Sequence, residues 1–431
     1  MEIKLPLAPN ERELVIKRIV ESDSPSRTGE RIVGSNKAYN VYSFPLDSVT
    51  YNSKNTRFKS EALTYKAENK TDLDVENQEH FQMIERYIWE QNPTKNKETI
   101  NSLIETGQQV PGIITRDGIV ISGNRRLRLI NEIHRSSSKH NKDIPFFEAV
   151  VLDEKDMTRE RIIELETYYQ FGEDTKEDYD PIQKYLAVHE QHVDDGVSID
   201  KLAKNYYTDT KTIRKWLEVH ELMIEYLEYH DIVGHFDYLK NKEDPFLGLN
   251  SKIKQLKNGG GNKVDWPYDN GDIEQLKELY FDYLFLDLFT KEKSYRDILK
   301  VFDTKSSWDK VLSKYDESMG KSPIRTVDEV KEENPDLTEK QAIKKAISEN
   351  ANLHEEDLRL GLGLATNDLR IKEIINRPTD LADEAKESVV ALKQAIQKLK
   401  RTNRDVEDKK KLRLSLMTIR NITKDIEDLL G

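Results

Sequence analysis

The hydrophobic and polar positions follow both strand and helix periods in the first 180 or so residues of the chain. Short apolar runs at residues 41–49 and 146–152 predict strands, and residues 110–121 predict a hairpin. Apolar positions at helical spacing predict helices over residues 77–91, 97–106 and 125–134. We interpret the first of these helices as an inserted or peripheral element. The mixture predicts an α+β domain.

The hairpin is marked by Asp117 and Gly118, which lie between two β-branched runs. Asp and Gly tolerate the positive φ of a type I′ turn, so we predict a two-residue connection. Upstream, residues 22–40 alternate charge with Ser, Gly and Asn and predict a loop. We therefore treat residues 1–40 as a flexible N-terminal segment.

Strand signals fade after residue 178, and the rest of the chain has helical periodicity with short polar breaks. A run of glycines at 259–261 and a linker around residues 318–322 divide this helical part. A capping-box pattern, Thr338 with Gln341, precedes another helix. Two final helices carry apolar residues at heptad spacing, which predicts a helical hairpin or an oligomerising coiled coil; these are Ala385, Val389, Leu392, Ile396 and Leu399, then Leu412, Leu416 and Ile419.

These patterns predict five segments along the 431 residues. The flexible segment of residues 1–40 precedes an α+β domain at residues 41–177. An all-helical domain follows at residues 178–255. A helical extension at residues 262–318 and the C-terminal helices at residues 325–431 complete the chain.

Composition narrows the classes of protein and of site. The chain has 68 Lys and Arg against 80 Asp and Glu, a net charge of −12. Such acidity disfavours a protein that coats nucleic acid through bulk charge, so any DNA contact needs a local basic surface. The absence of cysteine excludes disulfides, thiolate nucleophiles and Cys-ligated metals. We expect a cytoplasmic protein, because we see neither a signal peptide nor a membrane-spanning stretch.

One local basic cluster follows the hairpin, where the string ISGNRRLR places three arginines in the first turn of a helix after Gly123. Cations are unfavourable there, because a helix N-terminus carries about half a positive charge. A glycine that allows close approach, free N–H groups and guanidinium forks together suit a phosphate anion. The structural alternative is that these arginines pair with nearby carboxylates.

A second basic cluster lies in residues 197–217, whose apolar spacing is typical of a helix-turn-helix. The second helix of this motif carries three cations and no acid between residues 210 and 217. Such a helix can enter the major groove of double-stranded DNA, whereas the alternative is a plain packing unit. The candidate DNA-binding residues are Thr210, Lys211, Thr212, Arg214 and Lys215.

The string ETINSLIETGQQVPGIITRDGIVISGNRRLRLINEI resembles the ParB/sulfiredoxin-like N-terminal domain, and FPLDSVTYNSKNTR is similar to its opening strand and loop. In ParB-like proteins a helix-turn-helix follows this domain, as it does here. The resemblance implies a ParB/sulfiredoxin-like domain, a helix-turn-helix domain and a helical C-terminal region. It also implies a site for CTP or another NTP with Mg²⁺, formed by Gly123, Asn124, Arg125, Arg126 and Arg128.

Glu166 stands near a family position that serves the metal, so the resemblance makes it the candidate catalytic and metal-binding residue. Its structural alternative is an ordinary helix carboxylate. The chain departs from the family pattern twice. Asn124 replaces an acidic residue, and Thr167 replaces the Asn that helps to hold the metal. These departures put nucleotide choice and hydrolysis in doubt.

Three functions remain open from the sequence. The first is a nucleotide-regulated DNA-binding protein of ParB type, dimeric through its C-terminal helices, with a plasmid, prophage partition or phage-defence role and with or without slow CTPase or NTPase activity. The second is a nuclease or ATP-dependent kinase of the same superfamily. The third is a structural adaptor with a vestigial nucleotide cleft. None of them involves a membrane.

Overall fold

The computed structural model describes residues 4–140, 142–172, 180–259, 263–289 and 294–376, together with 416, 417, 420 and 424. The chain divides into two units, residues 1–362 and 363–431. The described part of the second unit consists mainly of the end of one long helix. The predicted C-terminal heptads lie almost wholly outside the described residues.

A five-stranded sheet organises the N-terminal part, in the order β1-β2-β5-β3-β4. β2 pairs antiparallel with β1 and β5, whereas β3 runs parallel to β5 and antiparallel to β4. The strands are β1 Arg27–Arg31, β2 Ala38–Pro45, β3 Gly112–Ile114, β4 Val120–Ser122 and β5 Phe146–Val151.

Helices surround the sheet and form the remainder of the first unit. The early helices are α1 Pro9–Glu21, α2 Lys59–Asn69, α3 Gln78–Glu90, α4 Pro93–Thr106, α5 Asn124–Arg135, α6 Ser137–His140 and α7 Arg159–Thr167. The later ones are α8 Pro181–His189, α9 Ile199–Asn205, α10 Thr210–Tyr229, α11 Glu243–Lys257, α12 Asn270–Phe285, α13 Ser294–Val301, α14 Lys305–Lys321, α15 Val327–Glu333 and α16 Glu339–Asn376. The predicted α+β class is thus confirmed, and the finer domain boundaries stay predictions.

Both faces of the sheet are covered, because alternate residues of its central strands enter different hydrophobic cores. Tyr42 and Phe44 of β2 lie in the larger core with Phe147 of β5. Tyr39 and Val41 of the same strand lie in a smaller core on the other face. The sheet is therefore packed on both sides, and the candidate Gly123 directly follows one of its strands, β4.

The N-terminal 40 residues contain ordered elements where we predicted a flexible loop. Ile16 of α1 lies in the larger core, and β1 pairs with β2. The interpretation of residues 22–40 as loop is therefore wrong over β1 and the start of β2. The sequence of β1, RTGER, shows no apolar alternation, because β1 is an edge strand with largely exposed side chains.

Helix α3 was expected to be peripheral and is instead part of the core. Phe81, Ile84 and Ile88 are buried in the larger cluster. The linker predicted around residues 318–322 is also wrong, since α14 continues through Lys321 and Ser318 is buried against His354, with 2.9 Å between its Oγ and the ring Nδ1. The predicted Thr338–Gln341 capping pair is confirmed, with reciprocal hydrogen bonds of 2.9 and 3.3 Å.

Residues 115–119 separate β3 from β4, and the hydrogen bond between Thr115 and Ile119 closes a loop of three residues, 116–118, rather than the predicted two. Gly118 N–H donates to the Thr115 carbonyl at 3.1 Å, and Thr115 N–H donates to the Ile119 carbonyl at 2.9 Å. Only Gly118 in the loop has positive φ, +82°. A type I turn followed by a left-handed glycine suits this pattern and also uses an Asp-Gly pair.

No described helix combines the length and apolar character that crossing a bilayer requires.

Candidate functional site

The turn between β4 and α5 depends on Gly123. This residue caps α5 with φ of +105°, a left-handed conformation that L side chains rarely adopt. A Cβ at this position would also lie 3.1 Å from Cζ of Phe147. Glycine therefore lets the helix begin directly at the end of a buried strand, as the sequence predicted.

Asn124, the first residue of α5, is buried and uses its side chain inside the protein. Its Oδ1 accepts a hydrogen bond from the Asn52 backbone N–H at 3.0 Å, and its Nδ2 donates to the Val120 carbonyl at 2.7 Å. The side chain thus braces the turn against the loop that follows β2.

Arg125 and Arg126 are both half-buried. Arg125 Nε donates to Oδ1 of Asn96 on α4 at 2.8 Å. Arg126 folds back over the turn, because its Nη1 lies 3.4 Å from the point that a Cβ on Gly123 would occupy. The Arg126 guanidinium therefore lies over the glycine turn, whereas that of Arg125 contacts α4.

Arg128 is placed differently, because its guanidinium lies in the protein interior. Its Nε donates to the Glu85 carbonyl at 3.2 Å and its Nη1 to Glu132 at 2.9 Å. The group also lies over the ring of Trp89, 5.1 Å from its centroid. Arg128 thus follows the structural alternative, in which the arginine pairs with nearby carboxylates. Its position does not support a role in binding phosphate.

A buried polar network around Glu85 was not anticipated from the sequence. Its carboxylate accepts hydrogen bonds from the Tyr51 hydroxyl at 2.8 Å and from Arg135 at 3.0 Å. Asn131 donates to the same hydroxyl at 3.0 Å, and burial raises the pKa of Tyr51. The network ties α3 to α5. Arg128 and Arg135 lie seven residues apart on α5, two helical turns, and this spacing was the only sequence signal for it.

Glu166, the candidate catalytic and metal-binding residue, is buried near the end of α7. Burial raises the pKa of its carboxyl to about 8, although the charges of Arg159 and Lys59 act in the opposite direction. Its Oε1 accepts a hydrogen bond from the side chain of Asn52. The carboxyl is therefore protonated to a large extent at neutral pH, which suits proton transfer better than it suits tight metal binding.

Asn52 connects the two regions that the sequence placed 42 positions apart, Asn124 and Glu166. Its backbone N–H binds the first and its side-chain amide binds the second. Asn52 was not a candidate from sequence, although it lies in the loop NSKNTR on which part of the resemblance rests. Only the fold shows that it stands between the glycine turn and the buried acid.

Ion pairs extend from this region to the helical part. Lys59 Nζ lies 2.5 Å from Glu190, and Arg159 pairs with Asp195 at 3.1 Å. Thr167, which follows the buried acid, accepts a hydrogen bond of 3.3 Å from Gln191. These contacts join α2 and α7 to the π-helical turn Glu190–Asp194 that follows α8.

The donor set for a metal is small. Among the described residues, no three His, Asp or Glu side chains are grouped so as to hold a metal ion. Mg²⁺ commonly takes about one or two protein carboxylates and completes its shell with water and nucleotide phosphates. Glu166 alone fits that mode only when it is deprotonated and its hydrogen bond with Asn52 is rearranged.

Helices α9 and α10 lie where we predicted a helix-turn-helix, and residues 206–209 connect them. Ser198 caps the first helix through a 3.3 Å hydrogen bond from Lys201 N–H, and Asp209 caps the second through a 2.7 Å bond from Thr212 N–H. Their facing side chains pack with α8 in one hydrophobic cluster. The buried members of this cluster are Val188, Val197, Leu202, Ala203, Tyr206 and Ile213. Tyr207 closes the turn with φ of +51°.

The polar side of the α10 start faces away from this cluster. Lys211 and Arg214 are exposed, and Thr210, Thr212 and Lys215 are half-buried. Neither Arg214 nor Lys215 forms a salt bridge with any residue that the structure describes. Acidic residues appear on α10 only from Glu218 onward. The first two turns of α10 are therefore a local cationic surface.

Comparison with known proteins gives little beyond this geometry. No protein-family model matches the chain, and no curated protein matches it. Among solved structures, the chain is similar to the C-terminally truncated chromosome-partitioning protein ParB from Caulobacter crescentus complexed with CTP-gamma-S. The likeness has a TM-score of 0.18 and 9% identity, and it covers 49% of this chain and 92% of that one.

Proposed function

We propose that this chain is a nucleotide-regulated DNA-binding protein of ParB type, which binds double-stranded DNA through α10 and CTP or another NTP with Mg²⁺ at the Gly123 turn. The observation that carries the proposal is the cationic start of α10 on a packed helix-turn-helix. An acidic protein that keeps three cations together on one capped helix end has the local surface that DNA binding needs.

The placement of the α10 side chains supports the proposal of DNA binding. The N-terminal residues of a recognition helix reach base edges and phosphates while its apolar face packs inward. Ile213 is fully buried, whereas Lys211 and Arg214 are exposed on the opposite side. Arg214 has the guanidinium fork that reads guanine, and Lys215 supplies a point charge for a phosphate.

The glycine turn supports the proposal of nucleotide binding. Left-handed Gly123 brings the start of α5 close to a ligand, and the helix N-terminus favours negative charge. Arg126 lies over this turn and Arg125 is its neighbour on α5, and both would supply guanidinium groups for a triphosphate. Asn52 would transmit a nucleotide-induced movement of the turn to Glu166, because it hydrogen-bonds both Asn124 and Glu166. Glu166 in turn lies close to the charges of Arg159 and Lys59, which pair with the helical part.

The test is DNA binding by the full-length protein, measured by fluorescence anisotropy over a salt series with and without nucleotide and Mg²⁺. Lys215→Ala should weaken binding and reduce the salt slope by about 1, because one phosphate contact is lost. Lys344→Ala is the matched control, since it removes an exposed lysine from α16. Equal affinity and slope for wild type and Lys215→Ala would show that α10 does not bind DNA.

The second candidate, a nuclease or kinase, is favoured by one observation, the raised pKa of Glu166. A carboxyl that titrates near neutral pH can act as a general acid or base. Plasmid nicking with Mg²⁺ or Mn²⁺ distinguishes the nuclease, because cleavage by wild type but not by Glu166→Gln would replace the regulatory proposal.

A further inference from the structure

A cavity far along the chain from the glycine turn has the chemistry of a ligand site. It lies where the ends of α10, α12 and α14 meet, and its volume is about 350 Å³. That volume is at the small end of the range of small-molecule pockets. Its wall includes Tyr229, Phe285 and Tyr315, together with the side chains of His230 and Asp282.

The carboxyl of Asp282 is the acidic group of this cavity. Asp282 is only 2% exposed, and the hydroxyls of Tyr229 and Tyr315 both donate to its Oδ2. Burial raises the pKa of Asp282 to about 7, because an ionised carboxylate at this depth is costly unless donors or a cation compensate it. Two phenols on one oxygen orient the group and leave the side of Oδ1 available for another partner.

His230 supplies a second acceptor beside this carboxyl. Its ring stacks on Phe285 with 4.0 Å between the centroids, and it hydrogen-bonds the backbone of Phe281. Burial lowers the pKa of His230 to about 3, so the ring is neutral. Its buried Nε2 has no hydrogen-bond partner among the described residues.

Nε2 of His230 lies 4.0 Å from Oδ1 of Asp282, too far for a direct hydrogen bond. One group that carries two N–H donors can bridge two acceptors at this separation. A primary ammonium has three such donors and a positive charge, and aromatic faces attract that charge. Arg325 also borders the cavity, but its guanidinium is compensated by Glu333 and Glu349.

We infer that this cavity binds a small primary amine, with its ammonium group between Asp282 and His230 and its alkyl chain against Tyr229, Phe285 and Tyr315. This site is separate from the proposed nucleotide and DNA sites and does not depend on them. Nothing in the amino-acid pattern indicates it, because its residues come from three helices that are far apart in sequence.

The experiment is saturation-transfer NMR with the full-length protein and n-butylammonium, with 1-butanol as the neutral analogue and tetramethylammonium as a cation without N–H donors. We expect saturable binding of n-butylammonium and affinities at least about tenfold lower for both other probes. Equal binding of 1-butanol would show a merely apolar cavity. Equal binding of tetramethylammonium would show that the ligand needs no N–H donors, which contradicts a bridge between Asp282 and His230.

Two variants locate the site. Asp282→Asn should reduce n-butylammonium affinity at least about tenfold, because the charge is lost while the shape is kept. Ile324→Trp, at a half-buried position of the cavity wall, should block binding even if the first variant does not fold. Tyr280→Phe on α12 is the control, since its hydroxyl bonds the Pro245 carbonyl. No binding to wild type, or unchanged binding to Ile324→Trp, would overturn the inference.

Discussion

The side chain of Asn52 donates a hydrogen bond to the buried carboxyl of Glu166. The same residue also holds Asn124 through its backbone N–H. A change at the glycine turn that moves Asn124 therefore acts on the loop that stabilises the buried acid. This relationship gives the proposed nucleotide site a physical connection to the end of α7.

The first prediction concerns that connection. Asn52→Ala should lower the free energy of unfolding by about 1–3 kcal/mol, because a buried carboxyl loses its donor. Urea unfolding followed by circular dichroism measures the difference. Asn69→Ala is the control, since that exposed asparagine bonds only the Tyr65 carbonyl one turn earlier in α2. A similar decrease in the free energy of unfolding for the two variants would show that the bond from Asn52 to Glu166 does not stabilise the protein.

The second prediction concerns pH. The pKa of Glu166 is about 8 in the folded protein, against 4.5 for an ordinary Glu. Between these values the folded state binds the proton more tightly than the unfolded state. The contribution of Glu166 to stability is therefore complete below the lower pKa and is lost as the pH rises toward the upper one.

Glu166→Gln removes this titration and keeps an oxygen that can accept from Asn52. Urea unfolding at about pH 5 and about pH 8 should show a smaller loss of stability with rising pH for the variant than for wild type. Glu13→Gln, an exposed change on α1, should leave the pH dependence unaltered. An identical pH slope for wild type and Glu166→Gln would mean that the buried carboxyl does not titrate in this range.

The third prediction separates Arg128 from the other arginines of the GNRRLR string. Arg128→Ala leaves the buried carboxylate of Glu85 and the half-buried one of Glu132 without one of their cations, so it should lower stability by about 3–5 kcal/mol. Arg116→Ala, which removes an exposed partner of Glu154, should cost about 1 kcal/mol or less. Thermal and urea unfolding compare the two. A small loss for Arg128→Ala would contradict a structural role.

The sequence predicted the elements with strong local signals. The helix at residues 77–91, the hairpin and the helices α9 and α10 were predicted correctly because their periods, caps and turn residues are local. β1 was missed because an edge strand of polar residues has no alternation. The central position of α3 was missed because amphipathicity shows that a helix buries one face, but not against which core it is buried.

The candidate site was predictable only in part for the same reason. Gly123 and its arginines are contiguous, so the turn was visible, and α10 has a local charge excess. Asn52 and the Glu85 network depend on contacts between residues that are distant in sequence. Arg128 shows the limit most clearly, because one helical position decides whether a guanidinium faces a turn or the interior.

The last prediction concerns the nucleotide. Calorimetry with CTP, ATP and GTP in the presence of Mg²⁺ should show saturable binding of at least one of them to wild type. Arg125→Ala and Arg126→Ala should each weaken it by about tenfold or more, because a charge-assisted contact to phosphate is lost, whereas Arg116→Ala should not change it. If Lys215→Ala weakens DNA binding but no nucleotide binds, the protein binds DNA without nucleotide control. If the nucleotide binds and both arginine variants retain wild-type affinity, the phosphates lie elsewhere, and the glycine turn serves only to join β4 to α5.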